Sequence, residues 1–158
     1  MTKRIIRLVV SIAIVAGALA TLAVPAHAAK GGTERPWKGS GTVTGTFSFG
    51  PGARVQVFGV GTVNVTHLGR SDYSNVVTCP TGCINGGTTE VIIVAANGDM
   101  VFGEGVVAPN NGGTTVELVG GTGRFANATG KYVVAGTPVF TGPVTFTLDF
   151  TQTGSVSY

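Results

Sequence analysis

The sequence predicts an all-β chain folded as an eight-stranded antiparallel β-barrel, and three observations carry that expectation. Past the N-terminal segment no helical period of useful length occurs, apolar and polar residues alternate with period two, and Gly, Asn and Pro punctuate the alternating runs at short intervals. In GTVTGTFSF, Val43, Phe47 and Phe49 share one face while Thr42, Thr44, Thr46 and Ser48 share the other. In VTFTLDF, Val144, Phe146, Leu148 and Phe150 oppose Thr145, Thr147, Asp149 and Thr151. Threonine suits the wet side of a strand, because its β-branched side chain favours extended backbone and its hydroxyl tolerates water.

Taken in order, the strands fall at Gly41 to Phe49, Arg54 to His67, Asp72 to Thr78, Thr88 to Ala95, Asp99 to Ala108, Thr114 to Val119, Ala128 to Gly136 and Val144 to Phe150. Trp37 opens the first strand and reads as a cap on the barrel end rather than a ligand contact. Asn97-Gly98 favours a tight hairpin turn, Leu68-Gly69-Arg70 marks another reversal, and Asn110 to Gly113 forms a loop. About eight short strands leave a closed barrel or a sandwich as the sensible architectures. Charged residues are 11% of the chain, against about 25% in ordinary domains, too few to blunt exposed sheet edges. Closure, which removes the edges, is therefore favoured. GTVTGT, GTVNVT and GPVTFT look alike, but their irregular spacing argues against a solenoid.

The first 28 residues read as a cleaved secretory signal. Lys3, Arg4 and Arg7 form a basic start, LVVSIAIVAGALATLAV supplies the apolar run, and Ala26-His27-Ala28 gives a small-x-small cleavage pattern. Pro25 beside that pattern argues against a membrane anchor, so no membrane association is expected after cleavage. Residues 29–36, with Gly31, Gly32 and Pro36, read as a mobile arm, and residues 37–158 as a single barrel domain. The expected destination is outside the cell or in its envelope. Three of the ten basic residues leave with the signal, and the remainder balances seven against seven. Lys30, Arg35 and Lys38 are the only local basic group and Glu34 interrupts them, so nucleic acid is not an expected partner.

Cys79 and Cys83, in CPTGC, have no second cysteine pair with which to build a metal site. In an exported chain their spacing reads as a disulfide closing a tight loop. So short a ring stabilises by roughly 2 kcal/mol in the chain-entropy model, which staples a loop rather than the fold.

GGTGRFANATG, Gly120 to Gly130, contains G-x-G-x-x-A, the fingerprint of a dinucleotide-binding turn. Such a turn needs a helix behind it, yet KYVVAG supplies a strand, and no acidic residue follows at the required distance. No nucleotide or other cofactor is expected. The glycines Gly120, Gly121 and Gly123 instead suit a sharp reversal that lets Phe125 fold back on the barrel end. With THLGRS (Thr66 to Ser71) and AANGD (Ala95 to Asp99), this tract resembles the hallmark turns of the allene oxide cyclase-like and dirigent-like barrel proteins, short exported bacterial relatives included. The resemblance covers about residues 40 to 158 and is specific only in those tracts. It implies a calycin-like eight-stranded barrel, often trimeric, with an apolar cavity that in the plant members holds a reactive lipid epoxide or guides phenoxy-radical coupling. The resemblance does not place those enzymes' acid-base residues on this chain position by position, so the turn tract and the fold carry over and catalysis does not.

A functional polar group should stand out on an apolar face. Odd positions from Val55 to Val65 lead to His67, which would then sit at one mouth of the barrel. Even positions from Met100 to Ala108 enclose Glu104, one carboxylate on an apolar side. Buried charge is costly unless paired, so Glu104 is either matched, neutralised or on the outside. With Arg124 of the GGTGRF turn, His67 and Glu104 are the candidate ligand-binding residues and could do acid-base work; the plainer alternative is a turn histidine and a Glu104–Arg124 ion pair. No Ser-His-Asp set can be claimed, with His67 the only histidine left after cleavage, and a zinc site is starved of ligands, with that histidine alone beside the expected disulfide. Asn64 and Asn127 match the glycosylation sequon, which matters only in a host that glycosylates exported proteins. Three functions fit: a barrel that binds a small apolar ligand without catalysis, a cyclase or isomerase acting on an unsaturated lipid or phenolic, and a structural or surface-interaction protein with Thr-rich working faces. Gly59 and Gly61, on the inward set of their strand, leave room inside and favour the first.

Overall fold

The structure, a computed structural model, describes residues 32–158; the expected signal and residues 29–31 of the arm lie outside them. Eight antiparallel strands close into one barrel in chain order. They are β1 (Arg35–Phe49), β2 (Val55–Val65), β3 (Gly69–Cys79), β4 (Gly87–Ala95), β5 (Met100–Val107), β6 (Thr114–Gly121), β7 (Thr129–Phe140) and β8 (Thr145–Ser157). Closure is made by β1 against β8, from Arg35 opposite Val156 to Thr46 opposite Thr145. The edges that so uncharged a chain could not protect are thereby removed.

Several strands run beyond the segments read from the sequence, β1, β7 and β8 among them. β1 begins at Arg35, inside the span read as an arm, because Pro36 is held on both flanks: it lies opposite Ser155 of β8, and its carbonyl accepts the Thr66 hydroxyl at 2.9 Å. A proline at the start of a strand removes no donor that the ladder needs. β7 continues to Phe140 and β8 to Ser157, where Gly136 and Gly154 break the alternation without breaking the pairing. The β2–β3 reversal is one step earlier than expected. His67 itself takes positive φ (74°), followed by Gly69 (71°), which opens β3.

GGTGRFANATG leads from strand to strand. Val119 is an extra residue in β6, since Phe102 lies opposite Gly120 and Gly103 opposite Leu118. Gly120 (φ 129°) and Gly123 (φ 54°) take backbone conformations that side chains resist. A 3-10 turn, Gly123–Phe125, then delivers Phe125 fully buried to the barrel end before β7 begins.

The β2–β3, β4–β5 and β6–β7 loops meet at one end of the barrel, which is packed solid. Trp37 is fully buried there, stacked on Tyr132 at 5.3 Å, and its indole N–H donates to Gln152 Oε1 at 3.0 Å. Phe125 lies edge-on to Tyr158 at 4.8 Å, and the Arg35 guanidinium covers the same ring at 4.9 Å. The other four hairpin loops surround the opposite end, where the interior is hollow.

Candidate functional site

Side-chain size along the inward rows decides where the hollow lies. Toward the Trp37 end the rows carry Trp37, Tyr132 and Ile93; toward the other end β2 to β6 contribute Val57, Val77, Thr89, Gly105 and Val116, none long enough to reach the axis. On the facing wall, Phe47 packs against Phe146 at 5.1 Å and Phe140 at 5.8 Å. Gly45, on the inward row of β1, makes that possible, because a Cβ there would overlap the Phe146 ring. What remains is a cavity of about 300 Å³ that reaches down to Tyr73, Val91 and Phe150 and opens past Cys83, Val107 and Phe140. That volume is at the lower end for sites that enclose small molecules.

Among the described residues no acidic, basic or histidine side chain lines this cavity; its polar groups are Tyr73, Asn75, Thr89 and Thr114. Asn75 is turned so that its Oδ1 occupies the place a Gly59 Cβ would take, and that oxygen has no hydrogen-bond partner in the protein. The Thr89 hydroxyl is likewise unpartnered on a residue only 3% exposed. The Tyr132 hydroxyl and Gln152 Nε2 are buried and unpartnered too. Burial pushes the Tyr73 phenol well up from its ordinary value; Tyr132 is pushed up first by burial and then by the Tyr73 charge. Tyr73 therefore stays protonated at neutral pH, able to donate a hydrogen bond and unable to act as a base.

The candidate residues read from the sequence lie elsewhere. His67 is exposed in the β2–β3 turn at the packed end, its Nε2 3.2 Å from the Pro36 carbonyl oxygen. Arg124 joins it by donating to the His67 carbonyl at 2.6 Å. Its ion pair is with Asp99, at 3.9 Å, instead of Glu104. Glu104 is on the outer wall: the inward set of β5 is Val101, Gly103, Gly105 and Val107, opposite the parity expected. The reading failed because this wall is apolar on both faces, with Phe58, Val60, Ile92 and Val106 exposed outside. Glu104 sits between Glu90 of β4 and Glu117 of β6, and Lys131 of β7 pairs with Glu117 at 2.9 Å. His67 and Arg124 are thus brought together, and Glu104 stands apart from both.

Tyr73 and Asn75 escaped the sequence reading because DYSNVVT sets Tyr73, Asn75 and Val77 against Asp72, Ser74, Val76 and Thr78, with polar residues on both parities, and Thr89 because threonine is ordinary strand composition. The signal available was register: an inward Gly59 lies opposite Asn75. Cys79 and Cys83 are joined as a disulfide, with Cα atoms 4.9 Å apart, at the cavity opening. No protein-family model matches the chain, and no curated protein matches it in sequence.

Proposed function

We propose that this protein is an exported barrel that holds a small, uncharged, largely apolar molecule in its interior and does no chemistry on it. The observation that carries the reading is the chargeless 300 Å³ cavity, open at one end and stopped at the other by the Trp37–Tyr132 stack. A charged ligand would have to shed its water against walls that offer no counter-charge, a cost of several kcal/mol. A neutral one loses little and gains the apolar contact. Tyr73, Asn75 and Thr89 supply a few polar positions able to orient a hydroxyl or carbonyl. The cyclase or isomerase alternative rested on His67, Glu104 and Arg124, none of which lines the cavity. The disulfide at the opening fits an oxidising compartment.

Native mass spectrometry of the protein purified from its own host tests the reading, paired with titration of an environment-sensitive apolar dye. A retained small molecule or saturable dye uptake is expected, and Val77→Phe, which fills the cavity, should abolish either one while leaving the β-sheet circular dichroism unchanged. An unliganded protein that takes up no dye would sink the proposal. The trimer implied by resemblance has a matching surface in the exposed Phe58, Val60 and Ile92 of the outer wall; a sizing measurement that returns a monomer removes it.

A further inference from the structure

Four hairpin loops surround the cavity opening: residues 50–54, 80–86, 108–113 and 141–144. At or beside them stand Phe49 (68% exposed), Ile84 (67%), Val139 (66%), Phe140 (66%) and Val144 (41%). Those loops contain one charged residue, Arg54, and no carboxylate. The first acids down the outer wall are Glu90, Glu104 and Glu117, each three residues from the strand end nearest the opening. Three residues of strand span about 10 Å at most. The rim is therefore a carboxylate-free collar of exposed apolar side chains among uncharged Thr and Asn, about as deep as the acyl boundary that interfacial proteins enter, roughly 5–10 Å, with the carboxylates beginning beneath it. The opposite end bears the reverse character, with Arg35, Lys38, Asp99 and Arg124 clustered about its loops and chain ends.

We infer that the open end docks onto a phospholipid bilayer, with the collar entering the headgroup boundary and Arg54 meeting lipid phosphate. A second copy of the chain is a poorer occupant. The five collar side chains offer on the order of 100 Å² each, about 500 Å² together, and the opening at their centre offers no contact, whereas a stable interface needs about 800 Å² per partner. Charge placement agrees with a bilayer: the cation lies at the rim, and the carboxylates are held back from it. Phe140 belongs both to the collar and to the cavity wall, so a docked barrel has its interior continuous with the acyl region. The docking stands on the collar alone; its purpose, exchange of an apolar molecule between bilayer and cavity, rests on the proposed function.

The test is co-sedimentation of the signal-free chain with phosphatidylcholine vesicles, with and without a fifth of phosphatidylglycerol, beside dye uptake measured without lipid. Binding to both vesicle types is expected, modestly tighter to the anionic ones and weakened there by Arg54→Gln. The double variant Phe49→Ser/Ile84→Ser, neither residue of which lines the cavity, should lose at least tenfold in vesicle affinity and keep its dye uptake. A wild-type protein that takes up dye but leaves both vesicle types in the supernatant overturns the docking. So does a concentration-dependent dimer that the same double variant dissociates, which would give the collar to a second copy. Vesicle binding without dye uptake keeps the docking and removes the ligand reading.

Discussion

Trp37 and Tyr132 stack 5.3 Å apart at the packed end of the barrel, and the indole N–H is held by Gln152 Oε1 at 3.0 Å. One apolar contact and one buried hydrogen bond thus join β1, β7 and β8 at the closing seam. Trp37→Ala should cost about 3–5 kcal/mol, as large aromatic deletions in cores do. Trp37→Phe should cost less in packing yet leave Gln152, whose Nε2 already lacks a partner, unpartnered altogether. Adding Gln152→Met to Trp37→Phe should then recover about 1–2 kcal/mol. Chemical denaturation of the three variants checks the order; no recovery would mean that the hydrogen bond contributes nothing.

Thr89 offers the opposite case. Its hydroxyl is buried without a partner in the protein, so Thr89→Val, nearly the same shape, should raise stability by about 1 kcal/mol. Thermal unfolding measures it. A destabilised variant would show that the hydroxyl is satisfied in solution.

Alkaline pH should unfold the chain through its buried tyrosines. In the unfolded chain both phenols ionise near 10.0, whereas in the fold burial holds Tyr73 and Tyr132 protonated to higher pH. Their contribution is fully present below pH 10 and is lost as pH rises above it, because only the unfolded state gives up the protons. The loss amounts to at most about 1.4 kcal/mol per pH unit for each phenol. Denaturant midpoints between pH 8 and 11.5 should fall steeply past 10, and Tyr73→Phe should flatten the slope by about half. Equal slopes in the two proteins would refute the assignment.

The disulfide should matter locally. Replacing Cys79 and Cys83 together by Ser is expected to cost about 2 kcal/mol and to expose residues 80–86 to protease while the barrel stays folded. Limited proteolysis with mass mapping reads this out. Global unfolding under mild conditions would show that the loop staple supports more than its own segment.

Much of this architecture is written locally. Strand side chains alternate with a period of two, so the runs around Val43–Phe49 and Phe146–Phe150 declare their faces without help from the rest of the chain. The short CPTGC ring and the positive-φ glycines of GGTGRF are equally local, since each depends on a handful of neighbouring bonds. With few charges and many short strands, closure follows as the way to be rid of edges. Strand lengths were less legible: β1 reaches back to Arg35 because Ser155 of β8 and Thr66 of the β2–β3 turn hold Pro36 from either side.

The interior belongs to the tertiary structure. In β5 both parities carry apolar residues, so hydrophobicity could not say that Glu104 faces out and Gly103 faces in; the register with Val91 and Leu118 decides it. The cavity is assembled from strands distant in sequence, with Thr89 and Asn75 on one wall and Phe47, Phe140 and Phe146 on the other. Its volume is the difference between side-chain size and barrel width, a quantity that exists only once the sheet has closed. The sequence states which residues can form a barrel, and the closed barrel alone determines which of them share the space at its centre.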